Sequence, residues 1–392
     1  MAWGEVNVKD KRKEFIYKYE EKMHNFASLC REYGISRPTG YKWIARFKEE
    51  GLEGIREKSR APLIQSHETD PLIIKQIIDL RLSEKTWGPK KIFGYLKKHY
   101  PNIPWPSTTT IGNILDRKGL TVSRKYRRRV PAQTTPLAHC LQSNDVWCTD
   151  FKGWFLTKNG EKCEPFTLTD AYSRFLIRCT KLDFNRVEDV WGVLDAAFRE
   201  WGLPLFLRHD NGPPFATCAP GRLSRLSIKL IKAGVTPEWI EPGKPQQNGR
   251  HERMHLTLKI EATIPPADNM DLQQIRFGEF QDHFNFVRPH EALNQNTPGS
   301  VYSPSPRRWD GHLRSPEYPA CYEIRKVMKC GCIARRGKKL FISEILYGEH
   351  VGIVEEENGN FKVTYGPIML GTIDQNNTFN VPENKKRRAR RA

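Results

Sequence analysis

The chain has 392 residues, which is too long for one ordinary domain and predicts roughly two to four domains. Lys and Arg number 64 against 45 Asp and Glu, so the formal net charge is +19. A balance this basic indicates a polyanionic partner, commonly nucleic acid, although charge that only keeps a protein in solution is the alternative. No run of about 18 apolar residues is present, and the charged N-terminus does not resemble a secretory signal. We therefore expect a cytoplasmic protein without a membrane span.

The nine cysteines are odd in number and scattered along the chain. Only Cys330 and Cys332 are close together, and the sequence contains neither paired CxxC motifs nor a Cys/His set with zinc-ligand spacing. We therefore expect reduced thiols and no zinc site. Cys148 lies in a stretch that predicts a strand, and we expect it to pack there rather than act as a nucleophile.

Residues 1–57 predict a helix-turn-helix DNA-binding domain. Apolar residues recur at helical spacing as far as Tyr33, Gly34 interrupts the pattern, and Ser36 can cap a second helix whose first turn accommodates Pro38. This layout is typical of a helix-turn-helix, with a plain helical hairpin as the alternative. Four residues near the start of the second helix are predicted to contact DNA: Arg37, Thr39, Tyr41 and Lys42.

Two further segments precede the central part of the chain. Residues 68–122 predict three helices, the third capped by Ser107, and we interpret them as a second helical DNA-binding domain. Residues 123–143 are first strongly basic and then rich in Pro and Thr, which indicates either a linker that lies along phosphates or a solvated spacer. On the first interpretation, five of its residues contact DNA: Arg124, Lys125, Arg127, Arg128 and Arg129.

Residues 144–300 change from helical to mixed patterning. They predict three strands up to residue 182, with a hairpin turn at Asn159-Gly160, and then alternating helices and strands. Three antiparallel strands followed by this alternation are typical of an α/β ribonuclease H-like fold. We expect that fold for the central domain.

Three carboxylates occupy points that this fold brings to one edge of its sheet. Asp150 lies on the first strand, Asp210 follows the fourth, and Glu252 opens the helix after the fifth. Each alone has a simpler explanation, as a strand-end residue, a turn residue or a solvent-facing helix residue. Together they are the candidate catalytic and metal-binding residues, because two divalent ions roughly 3.5–4 Å apart stabilise phosphodiester transfer and prefer oxygen ligands. We expect Mg²⁺, with Mn²⁺ as a substitute, and two ions in each site.

The end of the chain predicts a small β domain and a basic tail. Residues 320–380 are strand-rich with tight turns, and the stretch VGIVEEENGNFKVTYG predicts a hairpin. We interpret them as a small SH3-like β-barrel. Residues 381–392 include KKRRARRA and predict a solvated tail that adds non-specific affinity for DNA.

Several motifs resemble those of integrase-core transposases of bacterial insertion sequences, which are relatives of retroviral integrases. They are WCTD, LTDAYSR, RHDNGPPF, GKPQQNGRHERMHLTLK and FNFVRPHEAL, and the resemblance covers nearly the whole chain. It implies that the three carboxylates bind the metal ions and that residues 243–249 form a mobile catalytic loop. It also implies that His255 and Lys259, on the helix face of Glu252, lie near DNA.

The sequence departs from retroviral integrases in two respects. The stretch between Asp210 and Glu252 is longer, with the extra length expected at residues 216–226. Helix-turn-helix segments also stand where retroviral integrases have an N-terminal zinc module. The first difference affects a loop and the second affects how DNA is recognised, so neither removes the three carboxylates.

The resemblance implies a DNA transposase. Such an enzyme binds double-stranded DNA at the ends of a mobile element, hydrolyses a phosphodiester there, and directs the freed 3′-hydroxyl at target DNA. Because two ends are handled together, we expect a homo-oligomer, at least a dimer, associated with the bacterial nucleoid. A regulator that has lost activity and a structure-specific nuclease are the alternatives. The complete set of carboxylates disfavours the first, and the helix-turn-helix segments disfavour the second.

Overall fold

The chain forms two compact units, one up to Thr69 and one from Asp70 onwards. The basic linker residues 124–129, most of the predicted loop 243–249 and the tail from residue 383 lie outside the described residues. None of the described helices is long and apolar enough to cross a membrane. The structure, a computed structural model, describes residues 8–22, 25–58, 69–121, 140–151, 153–182, 186–241, 247 and 249–382.

The first unit contains three helices, α1 (Val8–Glu20), α2 (Phe26–Glu32) and α3 (Arg37–Glu50). Ser36 caps α3 as predicted, since its side chain accepts a hydrogen bond from the amide of Thr39. The turn between α2 and α3 contains Gly34 at a φ of 62°, a conformation that glycine adopts without strain. The predicted helix, turn and helix are therefore present. Their core consists of Phe15, Ile16, Leu29, Cys30, Ile44 and Ile55.

The second helical segment belongs to the larger unit. It contains α4 (Pro71–Ser83), α5 (Pro89–His99) and α6 (Thr108–Arg117), and Ser107 caps α6 by accepting from the amide of Thr110 at 3.2 Å. These three helices enclose an apolar core of their own. Its buried members include Ile77, Trp87, Ile92, Leu96, Ile111 and Leu115.

Polar contacts join this helical segment to the central domain. The guanidinium of Arg288 is ion-paired with Glu261 and donates to the hydroxyl of Thr86 at 2.8 Å. A second contact joins Glu84 to the ring of His283 at 2.9 Å. Arg288 is buried, so removing its partner would leave an uncompensated charge in the interior, which is strongly destabilising.

The central domain is built on one mixed sheet in the order β4-β3-β1-β5-β6, with short β2 also paired to β3. β1 is antiparallel to β3 and parallel to β5, and β5 is parallel to β6. This is the predicted order of a ribonuclease H-like fold. The strands are β1 (Val146–Phe151), β2 (Phe155–Leu156), β3 (Lys162–Asp170), β4 (Leu176–Leu182), β5 (Phe206–His209) and β6 (Thr236–Trp239).

Helices cover both faces of this sheet. α7 (Val187–Trp201) and α8 (Arg225–Lys232) enclose one apolar cluster with the strands. On the opposite face, α9 (Gly249–Leu258) and α10 (Met270–Asp282) enclose a second. α9 continues into a π-helical turn, Lys259–Thr263, and the domain ends at the short helix α11 (Pro298–Val301).

The C-terminal region is strand-rich, as predicted, but the predicted barrel is not confirmed. The described strands form an open five-stranded sheet in the order β13-β12-β11-β10-β7 and a separate hairpin of β8 and β9. The sheet shares its apolar core with Leu223, Ile228 and Ile231 at and before α8. The strands are β7 (Glu323–Lys326), β8 (Cys332–Arg335), β9 (Lys338–Phe341), β10 (His350–Glu355), β11 (Phe361–Tyr365), β12 (Ile368–Ile373) and β13 (Phe379–Asn380).

Gly40 in α3 provides a test of the packing in the first unit. An added Cβ would lie 2.9 Å from both Cys30 Sγ and Phe26 Cζ, so Gly40→Ala should destabilise this unit by about 1–3 kcal/mol. Gly278→Ala in α10 is the matched control, because an added Cβ there meets nothing within 4 Å; it should stabilise by about 0.5–1 kcal/mol. Amide hydrogen exchange in α2 and α10 measures both effects. Unchanged protection of α2 in Gly40→Ala would contradict the packing described.

Candidate active site

Asp150 and Asp210 lie at neighbouring positions on parallel strands. The register of β1 and β5 pairs Cys148 with Arg208. The same register, continued for two residues, sets Asp150 opposite Asp210, which directly follows β5. Because adjacent strands are about 4.8 Å apart, the two carboxylates extend from neighbouring backbone positions. Both residues are half-buried, so their side chains remain accessible to a ligand.

Local hydrogen bonds orient both aspartates. The amide of Phe151 donates to Asp150 Oδ1 at 2.9 Å, and the amide of Gly212 donates to Asp210 Oδ1 at 3.1 Å. A Cβ at position 212 would approach Asp210 Oδ2 to 3.0 Å, so glycine there leaves room for the carboxylate. The Asp-Asn-Gly sequence therefore does form a turn, and that turn holds the Asp210 side chain at the end of β5.

Glu252 lies in the first turn of α9 and is exposed. Within the described part of the chain, no three His, Cys, Asp or Glu side chains are close enough to hold a metal ion. The two aspartates thus follow paired positions of neighbouring strands, and the structure does not bring Glu252 into a metal-binding cluster with them. Carboxylate oxygens are nevertheless the donors that hard divalent cations prefer, so the chemistry of the three residues fits magnesium or manganese.

The inner face of α9 is fixed to the sheet by two histidines. His251 Nε2 and His255 Nε2 each lie 2.7 Å from the Thr167 hydroxyl on β3, and His251 Nδ1 lies 2.8 Å from the Thr169 hydroxyl. Burial and the nearby His255 lower the pKa of His251 well below its ordinary value. His251 is therefore neutral at physiological pH.

His255 lies beside a candidate catalytic aspartate, and its contact with DNA stays a prediction. His255 is buried, and its Nδ1 lies 3.9 Å from Asp150 Oδ2. Glu252 is exposed whereas His255 is buried, because helical spacing does not reveal which neighbours cover each residue. Its ring contacts the sheet because α9 packs directly against β1 and β3.

The other predicted DNA contacts lie at the surface or outside the described residues. Arg37, Tyr41 and Lys42 are exposed at the start of α3, and Thr39 is half-buried. Lys259 is exposed where α9 passes into its π-helical turn. The basic linker residues lie outside the described residues.

Sequence reasoning missed four residues around the site: Thr167, Thr169, His209 and His251. His251 and His255 are four residues apart, a spacing that could have indicated a shared partner under one helix face. His209 is fully buried, stacks on Phe215 at 4.8 Å and meets the edge of Trp239 at 5.4 Å. No pattern in the sequence indicates that stacking, because it depends on how the loop after Asp210 folds back.

Cys148 packs in its strand as expected. It is buried in β1, and burial raises the pKa of its thiol to about 12, which disfavours the nucleophilic thiolate. All nine cysteines are free thiols in the structure.

Family models match both parts of the chain that the sequence motifs indicated. Residues 141–245 and residues 233–298 match models of the integrase core domain. Residues 11–62 match a helix-turn-helix domain, and residues 39–115 match a homeodomain-like domain. These matches support the resemblance: the chain contains stretches similar to helix-turn-helix domains and to the integrase core domain.

Among curated proteins, the chain is similar to the transposase for transposon Tn552 of Staphylococcus aureus. The two are 22% identical over 353 residues, covering 80% of this chain and 70% of that protein. The helix-turn-helix matches indicate DNA binding.

Two solved structures align with part or most of the chain. The HTLV-2 integrase catalytic core domain, in complex with magnesium, is 15% identical and covers 42% of this chain and 99% of that chain, with a TM-score of 0.34. A chain of the simian T-cell lymphotropic virus intasome is 14% identical and covers 76% of this chain and 99% of that chain, with a TM-score of 0.37. Both TM-scores are too low to add to the fold assignment.

Because His209 is buried, we predict that the folded protein loses stability in acid. Burial lowers the pKa of His209 to about 4, whereas the unfolded chain titrates near 6.5. Between these values the unfolded state binds a proton that the folded state does not. The free energy of unfolding should therefore fall as the pH drops through this window, by up to about 1.4 kcal/mol per pH unit.

The variant His209→Phe isolates this contribution, because it keeps an aromatic ring against Phe215 and cannot be protonated. Denaturant unfolding between pH 6.5 and 4.5, without divalent ions, should show a shallower dependence on pH than the wild type. Equal slopes in the two proteins would show that His209 is protonated as readily in the folded state as in the unfolded one.

Proposed function

We propose that this protein is a transposase that binds the ends of a mobile DNA element, cleaves a phosphodiester there and joins the 3′ ends to target DNA. Asp150, Asp210 and Glu252 are the proposed catalytic residues and metal ligands. The observation that supports the proposal is the parallel pairing of β1 with β5, which ends two residues before Asp150 and Asp210, together with the packing of α9, which carries Glu252, against β1.

The proposed chemistry is two successive attacks on phosphorus. Water attacks the phosphodiester at the element end, the bond to the 3′ oxygen breaks, and a 3′-hydroxyl is released. That hydroxyl attacks a phosphodiester of target DNA, so one bond forms as another breaks and no outside energy source is needed. The nucleophiles are water and DNA, and no covalent protein–DNA intermediate forms.

The three carboxylates would hold two divalent cations, which supply stabilisation of charge on the attacking and leaving oxygens. Magnesium is the proposed ion and manganese a substitute, because both prefer carboxylate oxygens. The task of the protein is to hold the carboxylates in place. The hydrogen bonds from Phe151 and Gly212 contribute to this by fixing one oxygen of each aspartate.

DNA recognition is assigned to the parts that precede the core. The exposed start of α3, with Arg37, Tyr41 and Lys42, would enter the major groove, as recognition helices do, with Thr39 beside them. The basic linker would follow the phosphates without reading sequence, and Lys259 would contact DNA near the cleaved bond. Two element ends must be processed together, so we propose a homo-oligomer, at least a dimer.

Charge-removing substitutions of the three carboxylates test the proposal. Asp150→Asn, Asp210→Asn and Glu252→Gln preserve shape but remove a metal-binding charge. Each should reduce cleavage and strand transfer by about 10³-fold or more, since several kcal/mol of transition-state stabilisation is lost. Combining two should cost little more than one, because residues that act as a unit fail together. The measurement is magnesium-dependent nicking and joining of a labelled duplex that carries the element end.

Matched controls separate loss of charge in the site from loss of charge elsewhere. Asp271→Asn and Glu279→Gln remove carboxylates of α10 that are exposed, and both should nick and join normally. A gel shift with the same duplex should show unchanged end binding for all five variants. Nicking at the wild-type rate by any of the three site variants would remove that residue from the catalytic set. Nicking without joining by the wild type would indicate a nuclease instead.

A further inference from the structure

The hydroxyl of Thr167 connects three elements of the candidate site. Thr167 is fully buried on β3, directly opposite Asp150 in the register of β1 and β3. Its Oγ1 lies 3.1 Å from the backbone carbonyl oxygen of Asp150 and 2.7 Å from Nε2 of both His251 and His255. One side-chain oxygen thus contacts β1, which carries Asp150, and α9, which carries Glu252.

These three contacts use the whole hydrogen-bonding capacity of a hydroxyl, which is one donor and two acceptor lone pairs. The carbonyl oxygen of Asp150 can only accept, so the Thr167 hydroxyl donates to it. The two histidines must then donate from Nε2 to Thr167 Oγ1. In this arrangement His251 Nδ1 accepts from the hydroxyl of Thr169, which assigns its tautomer.

Buried polar groups that lose their partner are costly, so this arrangement ties α9 to one position on the sheet. His251 precedes Glu252 by one residue, and His255 follows it by three, so both are within one helical turn of it. A shift of α9 along the sheet would break the contacts of both histidines. It would also move Glu252 relative to Asp150.

We propose that Thr167 is a positioning residue, whose hydroxyl fixes α9 against β1 and thereby sets the helix position from which the Glu252 side chain can reach a divalent ion held by Asp150. This rests on the proposed function, in which the two carboxylates share divalent ions. Thr167 itself touches neither DNA nor metal in the proposal. It acts through His251 and His255 on the helix and through the Asp150 carbonyl on the strand.

The test compares substitutions that differ in one hydroxyl. Thr167→Val keeps the branched shape and removes the hydroxyl, whereas Thr167→Ser keeps the hydroxyl. Thr149→Val is the matched control: Thr149 is also fully buried, and its hydroxyl donates to the Thr167 carbonyl at 3.1 Å. Because side chains alternate along a strand, Thr149 faces away from α9.

Two measurements are made on the full chain with Mg²⁺ alone. The first measures how the midpoint of thermal unfolding rises with Mg²⁺, because an ion that binds only the folded state stabilises it. Its readout is the Mg²⁺ concentration at half of the full rise. The second is amide hydrogen exchange of residues 249–258. Thr167→Val should raise the half-saturating Mg²⁺ concentration by about tenfold, as expected when a residue that orients metal ligands is lost, and should speed exchange in α9. Thr167→Ser and Thr149→Val should stay within about twofold of the wild type.

The outcomes separate this inference from the function on which it rests. If the wild type responds to Mg²⁺ and Thr167→Val behaves like Thr149→Val in both measurements, the positioning role is overturned and the proposed function stands. If the wild type shows no response to Mg²⁺, the metal-dependent function falls and the positioning role falls with it. Should Thr167→Val not fold, His251→Phe removes the same link from the helix side. A wild-type Mg²⁺ requirement in that variant would then overturn the inference.

Discussion

Strand β1 is the element on which the candidate site depends. It lies at the centre of the sheet, and its hydrogen bonds to β3 and β5 fix the position of Asp150 relative to two neighbours at once. Pairing with β5 ends two residues before Asp150 and Asp210, and pairing with β3 sets Asp150 opposite Thr167. Because side chains alternate along a strand, a slip by one residue would turn Asp150 to the other face. The buried Trp147 and Val146 oppose such a slip, since each belongs to the apolar core of its own face.

Buried and half-buried polar contacts hold α9 on the sheet and hold the α4–α6 segment against the central domain. His251, His255 and Thr167 hold α9, while Arg288, Glu261 and Thr86 hold the α4–α6 segment on the central domain. Glu261 lies in the π-helical turn that continues α9, so the helix that carries Glu252 contacts both the sheet and the second helical segment. The helix that carries Glu252, a proposed catalytic residue, is therefore continuous with a turn that contacts the α4–α6 segment through Glu261.

The C-terminal sheet packs against α8, which lies on the face of the central sheet opposite to α9. Its core includes residues of α8 and the segment before it, and Lys232 is ion-paired with Glu349 at 2.8 Å. A Cβ added to Gly221 would lie 2.8 Å from Ile368, so the longer stretch between Asp210 and Glu252 packs closely against β12. The extra residues in this stretch thus form part of a packed interface with the C-terminal sheet.

The sequence alone determined the helices, the strand order and the candidate carboxylates. Ser36 and Ser107 cap the helices they were expected to cap, and the strands around Asp150 and Asp210 occur where apolar patterning predicted them, because caps, turns and periodicity are local. Only the tertiary structure decided that His255 turns inward, that Thr167 joins α9 to β1, and that the C-terminal strands form an open sheet against α8. These features depend on contacts between residues far apart in the chain. The spacing of residues within one element gives its faces but not the neighbours that cover them.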